Sequence, residues 1–296
     1  MKESIFLLGD EWMDWIGRLN SAIDYIEENI CDTINIEEVA KIACCSTYHF
    51  QRMFAYMANI PLSEYIRRRR MSLAAVDLQN GDSKVIDVSL KYGYDSPTAF
   101  NRAFKSVHGL SPSQAREEGT TLIAYPPISF QITIKGVSAM NYRFETKEAF
   151  RIVGVSEPLE AEIEKNFETV PKMWGNAVMN GTITKLANMM DGTLIGLLGV
   201  SSCNESNNWR YYIAVESSKP IEDEMQELIV PKTTWAIFHG EGSNQSIQEL
   251  EKRIITQWFP TSGYEYGNAP DIEVYFNADS ENAKYEVWIP VVKKGR

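Results

Sequence analysis

A chain of 296 residues is long for one hydrophobic core and comfortable for two domains, and its 40 acidic against 29 basic residues leave a net charge of −11. The four cysteines, Cys31, Cys44, Cys45 and Cys203, form no CxxC pair and have no histidine cluster beside them, which argues against a zinc site or a disulfide frame. No apolar run approaches the ~20 residues of a membrane-crossing helix, and MKESIFLLGDEW has too short an apolar stretch for a secretory signal, so a cytoplasmic chain with reduced thiols and no membrane partner is expected.

In chain order, Trp12, Trp15, Leu19, Ile23, Ile26 and Ile30 recur at helical spacing. INIEEVAKIACC predicts a short helix that buries Val39, Ala40 and Ala43 and ends in a tight turn. STYHFQRMFAYM, residues 46–57, predicts an amphipathic helix capped by Ser46. Its wet arc holds Tyr48, Gln51, Arg52 and Ala55, and its dry arc holds Phe50, Met53, Phe54 and Met57. PLSEYIRRRRMSLAAVDLQNG predicts a longer helix from Pro61, stopped by Gly81. Four consecutive residues point round a whole helix, so Arg67 to Arg70 cannot share one partner. One or two are expected to bind acidic groups within the domain or phosphate, the others to be solvated. KVIDVSLKYGYDS then repeats the short helix, with Gly93 as the turn residue. SPTAFNRAFKSV, residues 96–107, repeats the amphipathic one, with Thr98, Asn101, Arg102 and Lys105 wet and Phe100, Ala103, Phe104 and Val107 dry. Phe50, Arg52 and Phe54 recur as Phe100, Arg102 and Phe104, the mark of a repeated unit. GLSPSQAREEG closes this half with a short helix.

Two short helices that each turn into an amphipathic one are two helix-turn-helix units, suited to successive major grooves roughly 34 Å apart on one face of duplex DNA. The net charge has to be split to test this. Residues 34–116 hold eleven Lys or Arg against seven Asp or Glu, a basic block inside an acidic protein. Arg52 and Arg102 have the chemistry to grip guanine or phosphate, Gln51 and Asn101 to pair with adenine, and Tyr48 to pack on a thymine methyl. Thr98 and the helix N-termini, with Ser46 and Thr47 at the first of them, suit backbone phosphates. For any one of these residues alone, a solvated surface side chain is the plainer alternative.

Beyond Gly119 to Tyr125, where YPP cannot continue a helix, the period changes. ISFQITIKG and NYRFETKEAFRIVGVSE alternate as half-buried strands do, ETVPKMWGNAVMNGTITKLANMM is helical, and LIGLLGVSS and WRYYIAVES are strand-like. TTWAIFHGEG, SIQELEKRIITQWF, DIEVYF and KYEVWIPVV repeat the order. The predicted fold is thus multidomain. An all-α DNA-binding domain over 1–118 precedes an α+β domain over 119–296, made of two pseudo-symmetric strand-helix-strand-strand halves.

The second half carries a single histidine, His239, and no GxSxG, HExxH or P-loop, so no enzyme, metal or cofactor is expected from it. Strand parity does offer a site. Glu286 and Trp288 share a face opposite Tyr285, Val287 and Ile289, and Glu273 and Tyr275 share one opposite Ile272, Val274 and Phe276. Trp174, Trp209, Tyr211, Tyr212, Trp235 and Phe238 are candidate walls. A carboxylate ringed by aromatics suits a hydrophobic organic cation. The expected site is Glu286, Glu273, Trp288, Tyr275, Trp174, Tyr212 and Phe238. An exposed polar face is the plain alternative, above all for Glu273. Two other readings stay open: a DNA-tethered hydrolase using Glu286 as general base, and a protein-interaction module with an open apolar patch.

VAKIACCSTYHFQRMF, YIRRRRMSLAA and GYDSPTAFNRAFKSVHGLSPSQAR resemble the DNA-binding domain of AraC/XylS-family transcription regulators over residues 14–118. The resemblance implies base contacts by Tyr48, Gln51, Arg52, Thr98, Asn101 and Arg102, and RNA polymerase as a further partner. Cys44 and Asn59 stand where glycines are usual, Ala115 replaces a common tyrosine, and Pro97 stands where other members can place a contacting side chain. NYRFETKEAFRIVGVSEPL, TTWAIFHGEG, DIEVYF and YEVWIPV resemble the GyrI-like effector-binding domains over 125–294. That implies an amphipathic, often cationic ligand in a central groove. Glu286 matches the motif's carboxylate, and Glu273 is a second candidate. Some relatives in that family are hydrolases.

Overall fold

The computed structural model describes residues 4–81, 83–131, 139–160, 163–203, 209–222, 224–277 and 282–293. It divides into two compact units, Met1–Thr133 and Ile134–Arg296.

The first unit is helical: α1 (Ser4–Glu28), α2 (Ile36–Ile42), α3 (Thr47–Ala58), α4 (Leu62–Asn80), α5 (Val85–Lys91) and α6 (Pro97–His108), with a 3-10 turn at Gln114–Arg116 where the last helix was expected. The dry arcs are buried except at Met57 and Ala103, which are half-buried, with Phe50, Phe54, Phe100 and Phe104 almost wholly enclosed. Both turns close with the same hydrogen bonds: Cys44 N donates to Lys41 O and Cys45 N to Ala40 O, and Gly93 N donates to Leu90 O and Tyr94 N to Ser89 O. Cys44 therefore takes the place of Gly93, and it does so at φ 54° against 78° for the glycine. A left-handed residue with a Cβ costs about 1–2 kcal/mol. The turn of the second helix-turn-helix is one residue longer before its N-cap, Ser96.

All four arginines of α4 have partners inside this unit. Arg67 and Arg68 share Glu64, and Arg67 also reaches Ser106 of α6. Arg69 pairs with Glu27 of α1 at 2.7 Å, and Arg70 donates to the carbonyls of Ile30 and Asp32. Thus none of the run is left simply solvated: Glu64, one turn back on α4 itself, takes Arg67 and Arg68, and α1 with the segment after it takes Arg69 and Arg70. Burial pushes the Glu64 carboxyl up, but Arg68 and Arg67 outweigh it and hold it below the ordinary value.

The boundary expected after residue 118 lies further on. Residues 120–131 form a strap on the helical unit. Tyr125 N donates to Ser72 Oγ, Ile123 N to His108 Nδ1 and Phe130 N to Asn20 Oδ1. The Asn20 amide returns a bond to Phe130 O, and the Phe130 ring lies 6.0 Å from Phe54. The strand expected over 128–136 has no ladder over 128–131; the rest of it lies outside the described residues.

The second unit contains β1 (Tyr142–Lys147), β2 (Phe150–Pro158), α7 (Ile163–Met179), α8 (Thr182–Met189), β3 (Leu197–Cys203), β4 (Trp209–Glu216), β5 (Gln226–Val230), β6 (Thr233–Gly242), α9 (Asn244–Arg253), a π-turn (Ile254–Trp258), α10 (Phe259–Ser262), β7 (Tyr264–Tyr266), β8 (Asp271–Tyr275) and β9 (Ala283–Lys293). The single helix expected near Trp174 is two, broken at Gly181 with φ 81°. All strand pairs are antiparallel, in the order β1-β6-β9-β8-β3-β4-β2-β5, with β7 on β9.

That order is two-fold symmetric: β6, β9 and β8 repeat as β2, β4 and β3, and β1 and β5 exchange partners between halves. It also forces the sheet to roll. β1 and β2 stand six places apart, roughly 29 Å in a flat sheet, yet only Glu148 and Ala149 join them, a reach of at most about 11 Å. β5 and β6 pose the same demand through Pro231 and Lys232. Consistently, Lys147 of β1 lies 3.1 Å from Glu216 of β4. The rolled sheet encloses one core of Ile152, Leu198, Val200, Ala214, Trp235, Ile237, Ile272, Val274 and Trp288. Its outer face carries the helices: Met173, Ala177 and Leu186 over Val153 and Ile213, and Ile247, Leu250 and Ile254 over Phe238 and Val287.

Candidate functional site

The two reading helices differ. On α6, Thr98, Asn101, Arg102 and Lys105 are all exposed. The Ser96 hydroxyl caps the first turn and Pro97 sits at its start, where its missing N–H costs nothing. On α3, Thr47, Tyr48 and Gln51 are half-buried, and Ser46 caps the helix, its hydroxyl 2.9 Å from His49 Nδ1. Arg52 departs from expectation: it is 7 % exposed, with its guanidinium 5.7 Å above the ring of Tyr56 one turn on. The arc read as wet is closed at that point, in part because an aromatic at i+4 stacks on the cation.

In the second unit the expected ligand residues fall into three groups. Glu286, Trp288 and Tyr212 point to the inside of the rolled sheet. The Glu286 carboxylate takes two bonds from Arg143, at 2.7 and 3.2 Å, and one from the Trp288 indole at 2.7 Å, with His239 Nδ1 at 3.0 Å. Those bonds to Glu286 hold the Arg143 guanidinium above its ordinary value. Phe238 is fully buried under α9 beside Trp258 and has no face toward a ligand.

Glu273, Tyr275 and Trp174 come together on the outer face, between α7 and α9. Glu273 Oε2 accepts from the hydroxyls of Tyr275 at 2.8 Å and Tyr211 at 3.1 Å, and the Trp174 indole donates to Tyr211 at 3.0 Å. The Trp174 and Tyr275 rings meet edge-on at 5.1 Å, while Tyr275 also packs on the α9 cluster. Burial first, and then the Glu273 charge, push the Tyr275 phenol well above its usual range, so it stays a donor. Trp174, Glu273 and Tyr275 are each half-buried, so the group is reachable.

Symmetry explains why one carboxylate fits there. The sequence offset that turns Tyr211 of β4 into Tyr285 of β9 also turns Gly199 of β3 into Glu273 of β8, and Gly199 and Glu273 are direct partners across the ladder. They flank the two-fold axis. A Cβ on Gly199 would meet the Tyr211 hydroxyl at 2.2 Å and Glu273 Oε2 at 2.8 Å, so the glycine makes the room its counterpart occupies.

Sequence reasoning named Tyr212 for the site; the tyrosine beside Glu273 is Tyr211, which strand parity puts on the face of Gly199 and Glu273, with Tyr212 on the other. It also passed over Glu251 of α9 as a buried carboxylate, 5 % exposed. The available signal was a carboxylate at i+4 from Ile247, inside the arc the helix buries. Among the described residues no helix is long and apolar enough to cross a membrane, and no three His, Cys, Asp or Glu are grouped to hold a metal ion.

The family profile of the GyrI-like small molecule binding domain matches residues 140–292, and that of a helix-turn-helix domain matches residues 39–118. The HTH-type transcriptional activator AarP of Providencia stuartii is 37 % identical over 102 residues, 34 % of this chain and 76 % of its own length. The Right origin-binding protein of Escherichia coli is 28 % identical over 297 residues, 94 % of this chain and 99 % of its own. Among solved structures, SAV2435 bound to tetraphenylphosphonium has 21 % identity and a TM-score of 0.46 over 52 % of this chain and 94 % of that one. The chain belongs to the AraC/XylS family of DNA-binding transcription regulators and carries a GyrI-like small molecule binding domain as its C-terminal half.

Proposed function

We propose that this regulator senses a hydrophobic organic cation, seated on the outer face of the second unit at Glu273 and walled by Tyr275, Tyr211 and Trp174. The observation that carries the reading is the Glu273 carboxylate on the two-fold axis, oriented by two phenol hydroxyls and edged by an indole. Aromatic faces and a fixed negative charge in a partly desolvated place favour a large, weakly hydrated cation by about 2 kcal/mol or more. Glu286, the motif's carboxylate, ranks second because Arg143 already balances its charge. On the DNA side, α6 offers Thr98, Asn101 and Arg102 to the bases. Tyr48 and Gln51 of α3 extend the reading to a second groove, with Ser46 and Thr47 near the phosphates.

Seven tryptophans make fluorescence quenching a direct assay. Tetraphenylphosphonium should quench wild-type protein saturably, and Glu273→Gln should weaken binding roughly tenfold, the equivalent of about 1.4 kcal/mol. Glu286→Gln should change it much less. The reverse order of the two variants would move the site inside the rolled sheet, and chemically altered ligand in the same samples would favour hydrolysis over sensing.

A further inference from the structure

We propose that Arg70 is the positioning residue that sets the distance and angle between the two reading helices, and so the number of base pairs the protein accepts between its two DNA contacts. The inference rests on the reading that α3 and α6 enter successive grooves, and it names the residue that fixes their phase.

The two helix-turn-helices share one support. α3 packs on α4, and so do α5 and α6. Where the connection from α1 to α2 faces the turn of the second helix-turn-helix, there is a cleft of about 560 Å³, lined by Asp32, Ile36, Ser63, Ile66, Arg70 and Gly93 among others. The Arg70 guanidinium reaches both sides of it. Its Nε donates to Ile30 O at 2.8 Å and its Nη2 to Asp32 O at 2.7 Å, past the end of α1 and just before the first helix-turn-helix. Its Nη1 lies against the other wall: a Cβ on Gly93 would stand 3.0 Å from that nitrogen and 3.5 Å from Cζ.

The repeat shows that the turn by itself does not demand this glycine. Cys44 holds the equivalent place with the same hydrogen bonds, also left-handed, and its side chain is exposed. What differs at Gly93 is the guanidinium packed on it. Arg67, one turn before Arg70 on α4, ties α6 to the same helix through Ser106. Cys31, between the two carbonyls, also packs on the core of the second helix-turn-helix. That apolar contact is non-directional and tolerates sliding, whereas a planar fork with two carbonyl acceptors fixes a direction. One base pair more or less moves a half-site by roughly 3.4 Å and turns it by roughly 35° about the duplex axis. A pair of helices locked through Arg70 cannot follow that change.

The test uses the full chain and a duplex that the wild-type protein selects from random-sequence DNA, its two protected half-sites located by footprinting. Binding is then measured to this duplex and to versions with one base pair inserted or removed between the half-sites. Wild type should lose at least about tenfold on either change. Arg70→Met, which keeps the stem and loses the fork, should bind the parent duplex more weakly but lose less than about threefold on the same changes. Arg70→Lys keeps the charge without the fork; it guards against a folding failure of the Met variant and should show the same loosened spacing. Arg68→Met is the control. Its guanidinium is held by Glu64 of the same helix and lies over the Tyr125 ring, so the variant should keep the wild-type ratios. A merely structural role would lower affinity for all three duplexes alike. Wild-type ratios in Arg70→Lys, or equally loosened ratios in Arg68→Met, overturn the inference and leave the two-groove reading standing. A wild type indifferent to spacing, or a selected duplex with a single protected half-site, overturns both.

Discussion

Arg52 and Arg102 hold equivalent places in the two helix-turn-helix units, yet Arg102 is exposed while Arg52 is 7 % exposed and stacked over Tyr56. Helical spacing alone gives both side chains the same arc, because an arc records direction and not what covers it. The cover was partly in the sequence, as an aromatic four residues after the cation, but α6 has Ser106 at that position and so leaves its arginine open. The difference predicts different phenotypes. Arg102→Ala should weaken binding to a preferred operator by about 1–3 kcal/mol and relax the preference at one base pair. Arg52→Ala should lower the thermal midpoint of the protein, by on the order of 0.5–1 kcal/mol for the lost stacking, with little change in base preference. Binding to an operator and its single-base variants, beside thermal melts, separates the two. Relaxed preference in Arg52→Ala with an unchanged melt would show that this side chain swings out to read DNA.

The elements were largely legible and their assembly was not. Amphipathic periods located α3 and α6, Pro61 and Gly81 bounded α4, and alternation located β2, β3, β4, β6, β8 and β9, because burial on one face imprints its own period. The roll of the sheet is set by two-residue connections between strands six places apart, information that no local period carries. The short edge strand β5 escaped for the same reason, having one partner and little burial. The strap at 120–131 reads as loop because its hydrogen bonds go to side chains of distant helices. One of those bonds gives it a pH dependence. His108 is buried, its Nε2 bonded to Met71 O at 3.1 Å and its Nδ1 accepting from Ile123 N at 3.2 Å. Burial holds its folded pKa below the ordinary 6.5, with the Met71 bond opposing. The stability from the neutral ring is therefore present above about pH 6.5 and is lost as pH falls from there toward the folded value. A protonated ring has no acceptor for Ile123. Amide exchange at Ile123, corrected for its intrinsic rate, should speed up between about pH 7 and about pH 5, and His108→Gln, which keeps a donor and an acceptor without the charge, should flatten that dependence. Equal slopes in the two proteins would detach the strap from this histidine.

At the scale of the molecule, a DNA-reading unit and a small-molecule unit on one chain make a regulator only if the ligand has different affinity for two arrangements of the protein. The coupling is then one free energy, and it works in both directions. If a cation changes operator affinity by some factor, the operator must change cation affinity by the same factor, whichever sign the regulation has. For this chain a factor of roughly 5–150 is expected, the usual range of such couplings. It should shrink toward one in Glu273→Gln at cation concentrations that no longer occupy the site. Operator binding titrated with and without tetraphenylphosphonium gives one factor; quenching by tetraphenylphosphonium with and without operator gives the other. The quenching arm needs non-operator DNA of equal length as control, since a lipophilic cation also binds the phosphates. Two equal factors above one place the cation site and the reading helices in one two-state system. Two factors of one, with the cation bound, would make the second unit a passive binder, and its fusion to a DNA-reading unit would then serve to localise the ligand and not to report it.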